Sequence, residues 1–81
     1  MKTVSHLAAV FGSVISAERK RKGISQRVLA EQIGSSDLYV SLLERGARKP
    51  SLNSMILIAQ GLGLDPAELT GMICEKLLVE Q

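Results

Sequence analysis

The sequence predicts an all-α fold, a compact five-helix bundle, on three observations. Apolar residues recur at three- and four-residue spacings in several separate stretches, each stretch opens on a capping residue or closes on a glycine, and none alternates like a half-buried strand. The chain has 81 residues, 46% of them hydrophobic and 22% charged. That length predicts one small domain over residues 1–81, and a domain of this size buries only about 60% of the surface its unfolded chain exposes. Such marginal stability favours self-association.

The first helix carries Leu7, Val10, Phe11, Val14 and Ile15 on one face and ends in Arg19, Lys20, Arg21, Lys22 and Gly23. The basic residues complement the negative end of the helix dipole, and Gly23 supplies a left-handed terminus. Ser25 caps the second helix, with Leu29, Ala30 and Ile33 inward and Gly34 as its breaker. Ser36 caps the third, with Val40 and Leu43 inward and Gly46 as the stop. Pro50 forbids continuity before Ser51, which caps a fourth helix whose predicted inward residues are Leu52, Met55, Ile56, Ala59 and Leu62. The fifth has the clearest opening: Asp65 as cap, Pro66 at the first helical position and Glu68 where a capping box needs a carboxylate. It is predicted to run over about residues 66–79.

Charge and composition narrow the function classes. The first fifty residues hold nine basic and four acidic groups, whereas Ser51 to Gln81 hold one basic and four acidic. This asymmetry points to an acidic partner for the N-terminal part, nucleic acid ahead of an anionic membrane surface. One cysteine, Cys74, and one histidine, His6, leave no disulfide framework and no zinc ligand set. No run of eighteen apolar residues is present, so no membrane span is expected. The stretch from Lys2 through Val4 to Ala17 imitates a signal peptide, but its polar residues and helical spacing read better as an amphipathic helix. A cytoplasmic protein is expected. There is no glycine-rich phosphate loop and no nucleophile with a matching histidine, so no catalytic residue, metal or cofactor is expected.

From Gln26 to Arg45 two short helices flank Gly34, and the small Ala30 lets the second cross close above the first. This is helix-turn-helix logic. The segment GISQRVLAEQIGSSDLYVSLLERGARKPSLNSMILIAQGLGLDPAEL, within a match from about Phe11 to Leu69, resembles the lambda-repressor and Cro-type helix-turn-helix family, also called the xenobiotic-response-element type. The most specific pieces are Ser25-Gln26, Leu29-Ala30, Gly34, Glu44-Arg45-Gly46, Pro50-Ser51-Leu52 and the run Ile58-Ala59 to Leu62-Gly63. Tyr39, Ser41 and Arg48 also look like the small controller proteins of restriction-modification systems.

The resemblance implies a domain whose third helix enters the major groove of double-stranded DNA as a symmetric dimer. Ser36, Asp37, Leu38, Tyr39, Ser41 and Leu42 then face the bases. Ser25, Gln26, Arg27, Arg45, Arg48 and Lys49 face phosphates, and relatives suggest that Arg48 also reaches a base edge. Arg27 stands where many relatives carry an acid, and a cation in a first helical turn is unfavourable without a phosphate nearby. Arg19 and Glu44 match positions that pair in some relatives, with solvated charges as the equal alternative. No base-facing residue is a bidentate purine reader. Readout by thymine-methyl contacts from Leu38 and Leu42, a cytosine amino contact from Asp37 and a Tyr39 hydroxyl contact competes with loss of specificity, and the retained basic residues favour readout.

The basic run Arg19 to Lys22 reads as a solvated helix end, Cys74 as an inert thiol, His6 as exposed, and Met55 and Met72 as packing residues. Leu57 lies off the inward face of its helix, and Leu69, Ile73, Leu77 and Leu78 form a second apolar stripe. A homodimer through the fourth and fifth helices, with Leu57, Leu69, Ile73 and Leu77 at its interface, is expected. Intramolecular packing of the fifth helix is the alternative. The expected function is a sequence-specific transcriptional regulator, repressor or controller, on a palindromic operator. In some relatives residues after Gly34 touch RNA polymerase, which keeps activation open. The alternative is a protein-interaction module, such as an antitoxin, with weak or non-specific DNA binding.

Overall fold

Each helix-opening signal in the sequence has a counterpart in the computed structural model, which describes residues 1–79. The helices are α1 (Leu7–Lys22), α2 (Gln26–Ile33), α3 (Asp37–Glu44), α4 (Leu52–Gly61) and α5 (Pro66–Val79), with no strand among the described residues. The hydroxyls of Ser25, Ser36 and Ser51 accept from the backbone N–H three residues on, at 3.1, 3.1 and 3.0 Å. At α5 the Asp65 carboxylate accepts from the Ala67 N–H at 2.7 Å, and Glu68 reaches back to the Asp65 N–H at 3.1 Å. These bonds satisfy amides that have no partner inside their own helix, each cap contributing roughly 1 kcal/mol. Only α1 opens without a side-chain cap, from His6 in a left-handed conformation (φ 63°).

The five helices share one core. Val10, Phe11, Val14 and Ile15 of α1 meet Leu29, Ala30 and Ile33 of α2, Val40 and Leu43 of α3, Ile58, Ala59 and Leu62 around α4, and Leu69 and Ile73 of α5. The turn between α2 and α3 needs Gly34, whose φ of +68° a side chain would strain. Gly12 serves a different purpose. A Cβ there would lie 2.6 Å from the Glu44 carbonyl oxygen and closer still to that of Leu43, so α1 and the end of α3 touch backbone to backbone. The position of α3 on the bundle therefore depends on the absence of a side chain at Gly12.

Two expectations are corrected. In α4, Ile58 is fully buried and Leu52 is 71% exposed. The inner face runs through Met55, Ile58, Ala59 and Leu62, and Leu52, one residue past the cap, lies beyond the edge of the core. In α5, Leu69 and Ile73 are core residues at 0% and 6% exposure, so they do not form an outward stripe. The helix lies across α1 and α4, and its inner turn fills the bundle. Leu57 and Leu77 are half-buried against the same core, while Leu78 remains exposed. No helix of the described residues is long and apolar enough to cross a membrane.

Candidate nucleic-acid interface

The candidate interface is organised around α3. Val40 and Leu43 anchor it in the core, leaving Asp37, Leu38 and Arg45 exposed and Ser41 and Leu42 half-exposed. These positions recur at three- and four-residue intervals and form one face of the helix. Leu38 is 64% exposed, an uncovered leucine flanked by Asp37.

At the end of α3 the Glu44 carboxylate is held by two other helices, α1 and α2. Arg19 of α1 grips it in a fork, Nε to Oε2 at 2.6 Å and Nη2 to Oε1 at 3.1 Å, and also donates to the Ile24 carbonyl at 2.8 Å. The Gln26 amide at the start of α2 donates to Glu44 Oε1 at 3.1 Å. The Arg19 and Glu44 side chains are only 11% and 6% exposed, so the ion-pair alternative is the one realised. Burial pushes the Glu44 carboxyl up, but hydrogen bonds from Arg19, Gln26 and Ser16 and the Arg19 charge outweigh it and hold the group below the ordinary carboxylate range. The Glu44 hydrogen bond raises the Arg19 guanidinium in turn. A planar fork on a carboxylate fixes angles as well as distance, so this cluster sets how α3 leaves the bundle.

The predicted phosphate-facing residues divide into two groups. Arg45, Arg48 and Lys49 are exposed beyond the end of α3, Arg45 leaning on the Ser41 carbonyl at 3.4 Å. Arg27 is exposed and makes only a 3.5 Å ion pair with Glu31 on its own helix. A pair so exposed is weak enough for a phosphate to displace it. Gln26, in contrast, is turned inward to Glu44, and Ser25 and Ser36 are engaged as helix caps. Their hydroxyl oxygens accept at the caps, and the exposed first-turn amides of α2 and α3 remain beside them.

Tyr39 departs most from its expected setting. Its hydroxyl donates to Ser54 Oγ of α4 at 2.7 Å, and the Arg48 guanidinium lies 5.5 Å from its ring centroid. Sequence reasoning missed Ser54, a position outside the helix-turn-helix whose only signal was its place three residues after the Ser51 cap. Gly12 was also passed over, although a glycine inside an amphipathic helix is itself a sign of close approach.

A family model described as helix-turn-helix matches residues 15–69, which include all of α2, α3 and α4. The chain belongs to the helix-turn-helix family of lambda-repressor and Cro-type DNA-binding regulators. It is 45% identical over 51 residues to an uncharacterized HTH-type transcriptional regulator of Mycobacterium tuberculosis (strain CDC 1551 / Oshkosh), a match covering 63% of this chain and 36% of that protein. The chain thus matches only about a third of that relative's length. Among solved structures it is similar to the restriction-modification controller protein C.AhdI from Aeromonas hydrophila, at 37% identity and a TM-score of 0.74, over 76% of this chain and 94% of the other. It also resembles the controller protein C.Esp1396I, solved as a tetramer in complex with its natural 35 base-pair operator. That match has 30% identity and a TM-score of 0.83, and covers 91% and 97% of the two chains.

Proposed function

We propose that this chain is a sequence-specific transcriptional regulator that inserts α3 into the major groove of a palindromic operator as a twofold dimer. The carrying observation is the two-sided build of α3. One side is fixed by Val40, Leu43 and the Glu44 cluster, and the other presents Asp37, Leu38, Ser41 and Leu42 with Arg45, Arg48 and Lys49 at its end. Leu38 and Leu42 suit thymine methyls, Asp37 suits a cytosine amino group, and the cations suit phosphates. The operator complex of C.Esp1396I supports the reading by similarity. Action on DNA entails a cytoplasmic site of work, and contact of the exposed turn after Gly34 with RNA polymerase would turn occupancy into activation.

For the dimer, the apolar surface on offer is a groove of about 400 Å³ among α1, α4 and α5, lined by Leu7, Leu52, Met55, Cys74 and Leu77. Of the lining residues Leu52 stands exposed to solvent, and so does Leu78, one helical turn past Cys74 on α5. A second copy on this surface would cover them, with half-sites about 34 Å apart on DNA. This revises the predicted set, retaining Leu77 and Ile73, which line the groove, and replacing Leu69 with Leu52 and Cys74; Leu57 contributes only what its half-buried side chain leaves uncovered.

The test is selection from a random duplex pool by the purified chain, with affinity for the winners followed against salt. A palindromic consensus is expected. Salt-sensitive binding without enrichment would favour the interaction-module reading, which draws on the lack of any Gln, Asn, Arg or Lys among the base-facing positions 36 to 42.

A further inference from the structure

Lys49 stands on the rim of the groove among α1, α4 and α5, and its place there gives the groove a chemistry of its own. The buried Phe11 and Ile73 form the floor, and the half-buried Leu7, Met55 and Leu77 form the walls. From Thr70 to Leu77 the groove follows α5 for about 10 Å, at roughly 1.5 Å per residue. Its lining carries one charge, that of Lys49, and no carboxylate. The two hydroxyls in the lining are already engaged, Ser51 donating to Ser54 Oγ at 3.1 Å and Thr70 to the Pro66 carbonyl at 2.8 Å. Among the described residues no ion pair engages the Lys49 ammonium. Ser51 and Leu52 open α4, so the positive end of that helix lies on the same rim. A twofold copy would bring this concave surface against itself, because an isologous contact pairs identical patches. Two hollows that meet enclose the space over Phe11 and Ile73 instead of filling it.

We propose that the groove is the binding site of a small amphipathic anion, of the class of a medium-chain carboxylate, with its chain over Phe11 and Ile73 and its head group on Lys49. The volume of about 400 Å³ lies within the usual span of small-molecule sites, roughly 300–1,000 Å³. Charge sorts the ligands. A carboxylate gains at the rim, an ammonium of the same chain length is repelled there, and a neutral polar compound finds no uncommitted hydroxyl. The bound anion draws Lys49 away from phosphate and covers Leu52 and Leu77, which the second copy needs. Such a ligand acts as an inducer, releasing the chain from DNA by separating its copies. This consequence rests on the dimeric DNA-binding reading, whereas the site stands on the groove alone.

The experiment titrates the full chain with decanoate and with decylammonium, both below their micelle-forming concentrations, by isothermal titration calorimetry and amide NMR. Decanoate is expected to bind saturably, with shifts around Met55, Thr70 and Cys74. Its affinity should exceed that of decylammonium about three- to tenfold, the range of an attraction exchanged for a repulsion at one exposed charge. Lys49→Glu should reverse the preference. Lys20→Glu makes the same change in net charge outside the groove and should keep it. Cys74→Trp fills the groove from an exposed position, and should abolish binding while the helical circular dichroism is retained. Uptake without saturation, equal affinity for the two amphiphiles, or a Lys49→Glu variant with the parent's preference overturns the site. In sedimentation, decanoate should shift the chain from dimer to monomer, and a saturated chain that stays dimeric overturns the inducer role. A chain that is monomeric without ligand overturns the dimer reading instead, and the preference between amphiphiles still decides the site.

Discussion

Alanine at Gly12 and at Gly71 should change stability in opposite directions, although both glycines lie inside helices. Gly71 of α5 has nothing within 4 Å of a built Cβ, so Gly71→Ala stabilises by about 0.5–1 kcal/mol through helix propensity and a less flexible unfolded chain. At Gly12 the same gain is opposed by backbone. The new carbon would sit 2.6 Å from the Glu44 carbonyl oxygen, when an ordinary close carbon–oxygen contact is about 3.3 Å. The Leu43 carbonyl oxygen is nearer still, so the two helices must part by roughly 1 Å, and a gap of that order forfeits a quarter to a half of each dispersion contact along the seam. Neither carbonyl can rotate away as a flexible side chain would. A net loss of about 2 kcal/mol is expected, within the usual range for overpacking. For a domain of this length each kcal/mol moves Tm by about 4–8 °C, so the two variants should melt well apart on either side of the parent. Thermal unfolding by circular dichroism, checked by urea titration, reads both. A Gly12→Ala variant as stable as Gly71→Ala would refute the backbone contact between α1 and α3.

Other consequences are open to direct measurement. Glu44→Gln leaves Arg19 charged with only a neutral partner, and should lower stability by about 3 kcal/mol, the lower end for a broken buried pair, in urea unfolding. Because the folded carboxyl is held low, Glu44 contributes fully above the ordinary value of about 4.3 and loses that contribution as pH falls through its folded value. Glu44→Gln should therefore lose part of the acid dependence, and an identical pH profile below that value would contradict the pairing. Arg48→Ala should reduce the slope of log affinity against log salt by about one if Arg48 neutralises a phosphate; an unchanged slope would assign it elsewhere. Leu52→Asp should leave the fold intact and shift sedimentation from dimer to monomer, whereas Leu69→Asp should unfold the chain, since its side chain is fully buried. A dimeric Leu52→Asp variant would move the interface to another face.

The boundaries of the helices were legible because their chemistry is local. Ser25, Ser36, Ser51 and Asp65 each bond to an amide within three residues, and Gly34 answers a requirement of its own backbone. The rotation of α4 and the burial of Leu69 and Ile73 were not legible, since spacing identifies an apolar face without identifying what covers it. The Arg19–Glu44 pair spans 25 residues, and only resemblance suggested it. The inward turn of Gln26 and the bond from Tyr39 to Ser54 depend on packing angles between helices, which no local pattern encodes. Gly12 shows the opposite failure: the residue was visible, but its meaning required knowing which backbone passes over it.

The division of α3 into a buried side and a presented side also bears on how such a protein changes its target. Only Val40 and Leu43 of its eight residues are fully buried, and the helix is oriented from its ends by Ser36 and Glu44. Exchanges at Asp37 and Leu38 remove nothing the bundle relies on, and surface exchanges of this kind usually shift stability by no more than about 0.5 kcal/mol. On the proposed reading of α3, a descendant would acquire a new DNA preference one exposed residue at a time, on an unaltered scaffold, without passing through an unfolded intermediate sequence.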